Sequence, residues 1–179
     1  MVSPISCLSI LVIPLLVTSL FYQVSNAVNA TYLDSICHKS TDYELCNSTF
    51  AADSRTPTAD LNGLLLISIS SNMNLLETTI VNRIPKILDI LEDPLDKARL
   101  QNCSTDYIIA LGQLSNAYLA SASKNYQEAT RLATDAAFKN VECDNEYNTT
   151  KRPSPIADVP GTVGRLIFIS YVIVGEIQQ

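Results

Sequence analysis

The chain has 179 residues, a formal net charge of −6, one histidine and no tryptophan. Its acidity and the absence of a run of basic residues exclude nucleic acid and anionic lipid surfaces as expected partners. Once an apolar leader is removed, about 150 residues remain, which suits one domain with a single core.

Residues 1–27 have the pattern of a secretory signal peptide. No charged side chain precedes Asp34, and the segment Ile5–Leu20 is almost wholly apolar. Small residues at Ser25 and Ala27 occupy the −3 and −1 positions of a cleavage site, which predicts cleavage after Ala27, with Ala30 as the alternative. An uncleaved membrane anchor is the competing interpretation, because an apolar run of this length nearly spans a bilayer.

A helical hairpin is predicted over residues 28–53. Thr41 and Glu44 match a capping box, in which the Thr41 hydroxyl accepts from the Glu44 amide and the Glu44 side chain reaches back. This predicts a short helix from about residue 42 and another before it, over roughly residues 32–39. Cys37 and Cys46 would then face each other across the hairpin, where a disulfide would stabilise two helices that are too short to be stable alone.

The first long helix is predicted from residue 61 to residue 91. Apolar residues recur there at three- and four-residue steps, after a cap at Thr58 or Asp60. Pro85 should kink or divide this helix, because proline lacks a backbone donor and crowds the preceding turn.

Two further helices follow the restart signal at Asp93 and Pro94, a cap followed by proline at the first helical position. A near-heptad stripe marks the second helix: Leu100, Cys103, Tyr107, Leu111, Leu114 and Tyr118. After a break at residues 121–123, a third helix is predicted over about residues 124–144, with small residues on one face.

A linker is predicted over residues 148–160, which contain three prolines. The last helix should cover about residues 162–176 and is too short to span a membrane. Short connections between long helices favour antiparallel neighbours. The predicted fold is therefore all-α, an up-down-up-down four-helix bundle over residues 58–179 preceded by the hairpin.

Four cysteines and four glycosylation sequons remain after the leader takes Cys7 away: Cys37, Cys46, Cys103 and Cys143, and Asn29, Asn47, Asn102 and Asn148. Spacing alone leaves three disulfide pairings open. Asn148 lies in a polar segment that is predicted to be a loop, so it is the best candidate for a glycan. Disulfide formation at the neighbouring cysteines competes with modification of Asn47 and Asn102.

Residues suited to catalysis or metal binding are scarce. Nucleophilic catalysis needs a base near an activated nucleophile, and the single histidine, His38, adjoins a cysteine expected to be oxidised. A zinc site needs three or four soft ligands, which one histidine and paired cysteines cannot supply. We therefore predict no catalytic residues, no metal and no cofactor.

The ordered set of features resembles the plant invertase/pectin methylesterase inhibitor family, nearest to its branch of pollen-allergen-like proteins. The resemblance covers the whole mature chain, residues 28–179. It rests on the leader, the four cysteines and their spacing, Tyr43 and Leu45 before Cys46, Asp60-Leu61, Asp93-Pro94, Cys143-Asp144 and Ser154-Pro155. It implies the disulfides Cys37–Cys46 and Cys103–Cys143, secretion to the cell wall rather than the vacuole, and a hairpin that braces the bundle and pairs two molecules as a homodimer.

The resemblance also implies a function without covalent chemistry. The bundle would bind pectin methylesterase or acid invertase in a one-to-one complex and occlude the substrate cleft. Invertase inhibitors of the family carry a Pro-Lys-Phe element between bundle helices two and three. Its counterpart here, Lys124-Asn125-Tyr126, lacks the proline and moves the lysine, which favours pectin methylesterase. A secreted helical carrier with an apolar ligand in an under-filled core is the alternative of a different class.

Overall fold

The structure is a computed structural model that describes residues 27–148 and 152–179. The predicted signal peptide, with Cys7, lies outside the described residues except for Ala27. All regular secondary structure in the described ranges is helical: α1 (Ala30–Lys39), α2 (Tyr43–Ala51), α3 (Leu61–Ile90), α4 (Pro94–Ala122), α5 (Tyr126–Asn148) and α6 (Asp158–Ile177), with a short 3₁₀ turn at Thr56–Thr58. Helices α3 to α6 form a bundle in which α3 and α5 each contact α4 and α6. The predicted all-α bundle with an N-terminal hairpin is confirmed.

Helices α1 and α2 form the hairpin, joined by the Cys37–Cys46 disulfide. The cap of α2 differs from the prediction by one residue. Asp42, not Thr41, is the cap, and its Oδ1 accepts from the Leu45 amide at 3.0 Å. The Asp42 carboxylate is a better cap than the Thr41 hydroxyl because it accepts a charge-assisted hydrogen bond and compensates the positive end of the helix dipole.

The hairpin packs against the bundle rather than standing free. Ile36 and Phe50 are fully buried in the common core. On the same side, Glu176 near the end of α6 accepts from the Lys39 ammonium at 2.6 Å and from the Tyr32 hydroxyl at 2.7 Å. These contacts hold α1 to the C-terminal end of α6.

Helix α3 begins at the Asp60 cap, whose Oδ1 accepts from the Gly63 amide at 2.7 Å, so Thr58 is not the cap. The helix is continuous, but its middle is a π-helical turn, Thr79–Arg83, between the α-helical parts Leu61–Thr78 and Ile84–Ile90. Pro85 follows this turn directly. Because the π-helical turn is wider than an α-helical one, it tolerates both the proline ring and the missing backbone hydrogen bond. The helix is therefore neither broken nor ended there.

Helix α4 begins as predicted, with the Asp93 carboxylate accepting from the Leu95 amide at 2.8 Å and Pro94 in the first position. It ends in a Schellman motif, in which the Asn125 amide donates to the Ala120 carbonyl at 2.8 Å. Lys124 occupies the left-handed position of this motif with φ 59°.

Helix α5 differs from the predicted range at both ends. It begins at Tyr126 because the left-handed Lys124 belongs to the turn and not to the helix. It continues to Asn148, past the predicted end at residue 144, because Cys143 and Tyr147 are four residues apart and both bury on the bundle side. The second disulfide, Cys103–Cys143, therefore joins two helices within their length rather than at a corner. Both cysteine pairs are those implied by the resemblance.

Helix α6 starts at Asp158, four residues before the predicted start at Thr162. Pro160 lies in its first turn, where the missing backbone donor has no helical partner to lose. The prediction that this helix is too short to span a membrane is wrong. With 20 residues α6 is long and apolar enough to do so, and α3 passes the same test of length and hydropathy. In the structure these two helices pack against each other inside the bundle.

Two buried asparagines fix α6 along its length. Asn72 of α3 donates from Nδ2 to the Val163 carbonyl at 3.2 Å, and Asn140 of α5 donates to the Pro160 carbonyl at 2.8 Å. Both side chains are almost completely buried. Because a buried amide that loses its partner is costly, a shift of α6 by one turn is disfavoured.

Candidate functional site

Helices α4 and α5 leave one long face uncovered, on the side away from α3 and α6. This face contains a groove of about 400 Å³ lined by Asn102, Thr105, Asp106, Glu142, Asn145 and Glu146. Two exposed apolar side chains continue the same face. Ile109 is one turn beyond Asp106 and is 40% exposed, and Phe138 is one turn before Glu142 and is 64% exposed. We call these eight residues the α4–α5 face.

The register of the two helices brings the apolar pair to one level. The Cys103–Cys143 bond and the 4.0 Å approach of Lys139 Nζ to Asp106 Oδ1 fix which residues lie opposite each other. Since the helices are antiparallel, Ile109 and Phe138 both lie just beyond this ion pair, toward the α4–α5 turn. The exposed face thus presents an apolar centre beside an acidic groove, on two helices that a covalent bond holds together.

The groove has a negative electrostatic character. Asp106, Glu142 and Glu146 supply three carboxylates, and Lys139, whose Nζ lies 2.5 Å from Glu142 Oε2, supplies the ammonium at its edge. Desolvation, followed by the charge of Glu142, raises the pKa of Asp106 above its usual range. The hydrogen bond to Glu142 raises the pKa of Lys139. Such a surface suits a partner with basic groups at its rim.

The turn predicted as a target contact lies at the other end of the face. Lys124 is exposed, Asn125 caps α5 by accepting from the Glu128 amide at 3.3 Å, and Tyr126 is half-buried. Tyr126 is 16 positions from Glu142, about 24 Å along the helix. The turn instead lines a separate cleft of about 450 Å³ with the first residues of α1 and α3 and the end of α6. The structure therefore does not bring these three residues to the groove.

The single histidine is exposed on the hairpin and does not line the groove of the α4–α5 face. The His38 ring stacks on Tyr43 with centroids 4.6 Å apart, and Nε2 lies 3.5 Å from the Asp34 carboxylate. The sulfur of the neighbouring Cys37 is committed to a disulfide. Across residues 27–148 and 152–179, no three His, Cys, Asp or Glu side chains cluster closely enough to hold a metal ion.

The sequons occupy different environments. Asn47 and Asn148 are exposed on α2 and at the end of α5, whereas Asn29 is engaged as the cap of α1. Asn102 lines the groove and donates to Glu146 Oε1 at 3.3 Å. Modification of any of them stays a prediction.

An apolar carrier would need a roomy interior. A pocket inside the bundle, lined by residues that include Leu65, Ile69, Ala133 and Val174, has a volume of only about 10 Å³. This is about the space of one water molecule, so it offers no room for an apolar ligand.

Sequence reasoning missed the residues that define the face. Ile109, Phe138 and Asp106 lie off the buried stripes, so periodicity assigned them no role. Phe138 did leave a signal, because it is a large aromatic residue at a position that periodicity places on the polar side of α5. Pairing it with Ile109 required the register of two helices, which only the structure supplies.

Comparison with known proteins agrees with this fold. The family model of the plant invertase/pectin methylesterase inhibitors matches residues 31–170. Pectinesterase inhibitor 5 of Arabidopsis thaliana is 29% identical over 143 residues, 79% of this chain and 77% of that protein. The cell wall / vacuolar inhibitor of fructosidase 2 of the same plant is 32% identical over 105 residues, 56% of this chain and 58% of that protein.

A solved structure, a mutant form of a pectin methylesterase inhibitor from Arabidopsis, has the same fold. It superposes with a TM-score of 0.68 at 21% identity and covers 80% of this chain and 95% of that one. The family model spans most of the chain and describes inhibitors of enzymes rather than enzymes. The chain therefore belongs to the plant invertase/pectin methylesterase inhibitor family.

Proposed function

We propose that this chain inhibits pectin methylesterase by laying the α4–α5 face over the substrate cleft of the enzyme, in a one-to-one complex. The observation that carries the proposal is the exposed pair Ile109 and Phe138 beside an acidic groove. Protein interfaces combine apolar anchors with a polar rim in this way. Binding alone blocks the cleft, so the inhibitor needs no catalytic residue.

The dimensions of the face suit a stable complex. Helix α5 has 23 residues and is about 34 Å long, and two adjacent helices are about 20 Å wide. The face could therefore bury about 700 Å² on this chain, close to the share of one partner in an interface of standard size. The Cys103–Cys143 bond keeps the two helices in register, which lowers the entropy lost on binding.

Two observations support pectin methylesterase over acid invertase. The turn that would correspond to the Pro-Lys-Phe element has Lys124 in the left-handed position of a helix end, without the proline. The relative named as a pectinesterase inhibitor also matches over a larger share of this chain than the relatives named as inhibitors of fructosidase or invertase. The 32% identity to the fructosidase inhibitor makes acid invertase the second candidate.

A titration of pectin methylesterase with the oxidised protein, residues 28–179, tests the proposal. The wild type should abolish activity at one equivalent. Phe138→Ala should raise the inhibition constant about 30-fold, the effect of losing an interface anchor of about 2 kcal/mol. Val81→Ala is the matched control: Val81 is 62% exposed on α3, and its change should leave inhibition unaltered.

Each part of the proposal has its own contrary outcome. Equal losses in the two variants would refute the α4–α5 face as the contact surface. Loss of acid invertase activity without loss of esterase activity would replace the target. No inhibition of either enzyme at micromolar protein would refute the inhibitory function itself. Because the groove is acidic, inhibition should also weaken as salt is added.

We also propose that the protein is secreted and that the leader is removed after Ala27. The structure favours this position over the alternative after Ala30. The Val28 amide donates to the Ala59 carbonyl at 2.8 Å, and Asn29 caps α1. Cleavage after Ala30 would remove both contacts. Amino-terminal sequencing of protein from the cell-wall fluid should therefore begin at Val28, and a start at Thr31 would contradict the proposal.

Two further features of the secreted protein stay proposals. Asn148 is the favoured glycan site, whereas a glycan on Asn102 would obstruct the groove, so mass spectrometry of active inhibitor should find Asn102 unmodified. Pairing of two molecules through the hairpin should appear as a dimer by light scattering. A monomer at all concentrations would refute the pairing.

A further inference from the structure

The cleft at the end of the bundle brings aromatic, charged and amide side chains together. It holds about 450 Å³, and its lining includes Tyr32, Asp60, Asn62, Lys124, Tyr126 and Ile177. This volume lies within the range of small-molecule binding sites, which begin at about 300 Å³. It lies about 24 Å along α5 from the acidic groove and does not overlap the α4–α5 face.

The two tyrosines supply flat apolar walls held in fixed positions. The Tyr32 hydroxyl donates to Glu176 Oε2 at 2.7 Å, which orients the ring. Tyr126 is the first residue of α5, and burial, followed by the nearby charge of Asp60, raises its pKa. Aromatic side chains with one polar end suit ligands that have both an apolar surface and hydroxyl groups.

Lys124 places an ammonium at the cleft at a conformational cost. It is the one residue other than glycine with a positive φ in the described part of the chain. The left-handed position of a Schellman motif is normally glycine or asparagine, because a side chain there costs about 1–2 kcal/mol. A lysine in this position therefore suggests that its charge is used.

Hydrogen-bonding capacity in the cleft is incompletely used. Asn62 Oδ1 is buried and has no hydrogen-bond donor among the protein atoms. Asp60 commits Oδ1 to the Gly63 amide but retains other lone pairs. The exposed carboxylate of Asp60 fits a ligand hydroxyl, while the first turns of α1, α3 and α5 all begin at this end and add positive potential.

From these groups we propose that the cleft binds a short acidic oligosaccharide, of the uronate class. The carboxylate pairs with the Lys124 ammonium, a sugar hydroxyl donates to Asp60, and a sugar ring packs against Tyr126. The site is independent of the inhibitory face, so the free protein binds the sugar without any enzyme present.

Titration of the isotope-labelled protein with trigalacturonate, followed by amide chemical shifts, tests the proposal. Saturable shifts should appear at residues 29–32, 60–62 and 124–126. Lys124→Gln should weaken the affinity at least about tenfold, the loss of one charge-assisted hydrogen bond. Lys86→Gln is the matched control, because Lys86 is exposed near the far end of α3, about 37 Å from the cleft.

The neutral trisaccharide maltotriose separates charge recognition from general sugar binding. Maltotriose should bind at least about tenfold more weakly than trigalacturonate, because it has no carboxylate to pair with Lys124. No saturable shift up to about 10 mM trigalacturonate, equal affinity in the Lys124 and Lys86 variants, or equal binding of maltotriose would each overturn the proposal. Because no enzyme is present, these outcomes are independent of the inhibition experiments.

Discussion

The Cys103–Cys143 bond should contribute more to stability than the Cys37–Cys46 bond, although the four sulfurs are equally buried. Two variants test this: one changes both Cys103 and Cys143 to alanine, and the other changes both Cys37 and Cys46 to alanine. The sequence separations are 40 and 9 residues. A crosslink removes entropy from the unfolded chain in proportion to the logarithm of the closed loop, which gives about 4 kcal/mol for the long loop and about 2.7 kcal/mol for the short one.

Urea unfolding of both variants, followed by circular dichroism, measures these losses. The long-loop variant should lose about 1 kcal/mol more than the hairpin variant. It should also inhibit pectin methylesterase less, since α4 and α5 would no longer be held in register, whereas the hairpin variant should keep its inhibition. Equal losses of stability, or a larger loss in the hairpin variant, would refute the loop-closure reasoning.

Three further variants test local features. Lys124→Gly should raise the free energy of unfolding by about 1 kcal/mol because glycine suits the left-handed turn, and an unchanged or lower urea midpoint would contradict this. Asn140→Ala should cost about 1–2 kcal/mol by removing the hydrogen bond to Pro160, which equal urea midpoints would disprove. The hydrogen bonds from Lys39 and then Tyr32 lower the pKa of Glu176 below its usual 4.5, so this carboxylate stabilises the fold fully above about pH 4.5 and less as pH falls through its folded pKa. Glu176→Gln should therefore be less stable than the wild type at pH 7 and lose less on acidification, and parallel pH profiles of the urea midpoint would contradict it.

The helices could be predicted because each is marked by a local signal. The Asp93-Pro94 start and the stripe through Cys103 and Tyr107 are read correctly from residues a few positions apart, and Asp60 is one of the two caps that the sequence offers for α3. These signals depend on the backbone of one helix and its nearest side chains, which a single stretch of sequence contains.

The helix ends that were placed wrongly depend on tertiary contacts. The sequence predicts that α5 ends at about residue 144, but burial of Tyr147 against the bundle extends it to Asn148. The sequence predicts a linker through Pro160, but α6 begins before this residue. A proline is tolerated in the first turn of a helix, and the Pro160 carbonyl accepts a hydrogen bond from Asn140. In both places packing between distant segments outweighs local composition.

The candidate site was harder to predict than the fold. The resemblance to the inhibitor family rests on the order of the cysteines and caps, whereas the proposed contact residues do not follow from it. Ile109 and Phe138 are 29 positions apart in the sequence, and only the antiparallel register of α4 and α5 places them at one level of the surface. The turn at Lys124, which the resemblance singled out, lies at a different place on the surface.

Hydrogen–deuterium exchange of this protein with and without pectin methylesterase tests whether the α4–α5 face is the contact surface. We expect slower exchange in the complex along α4 and α5 around Ile109 and Phe138, with the outer turns of α3 around Val81 unchanged. Protection confined to the hairpin or to the turn at Lys124, or an exchange pattern that the enzyme leaves unaltered, would contradict this expectation.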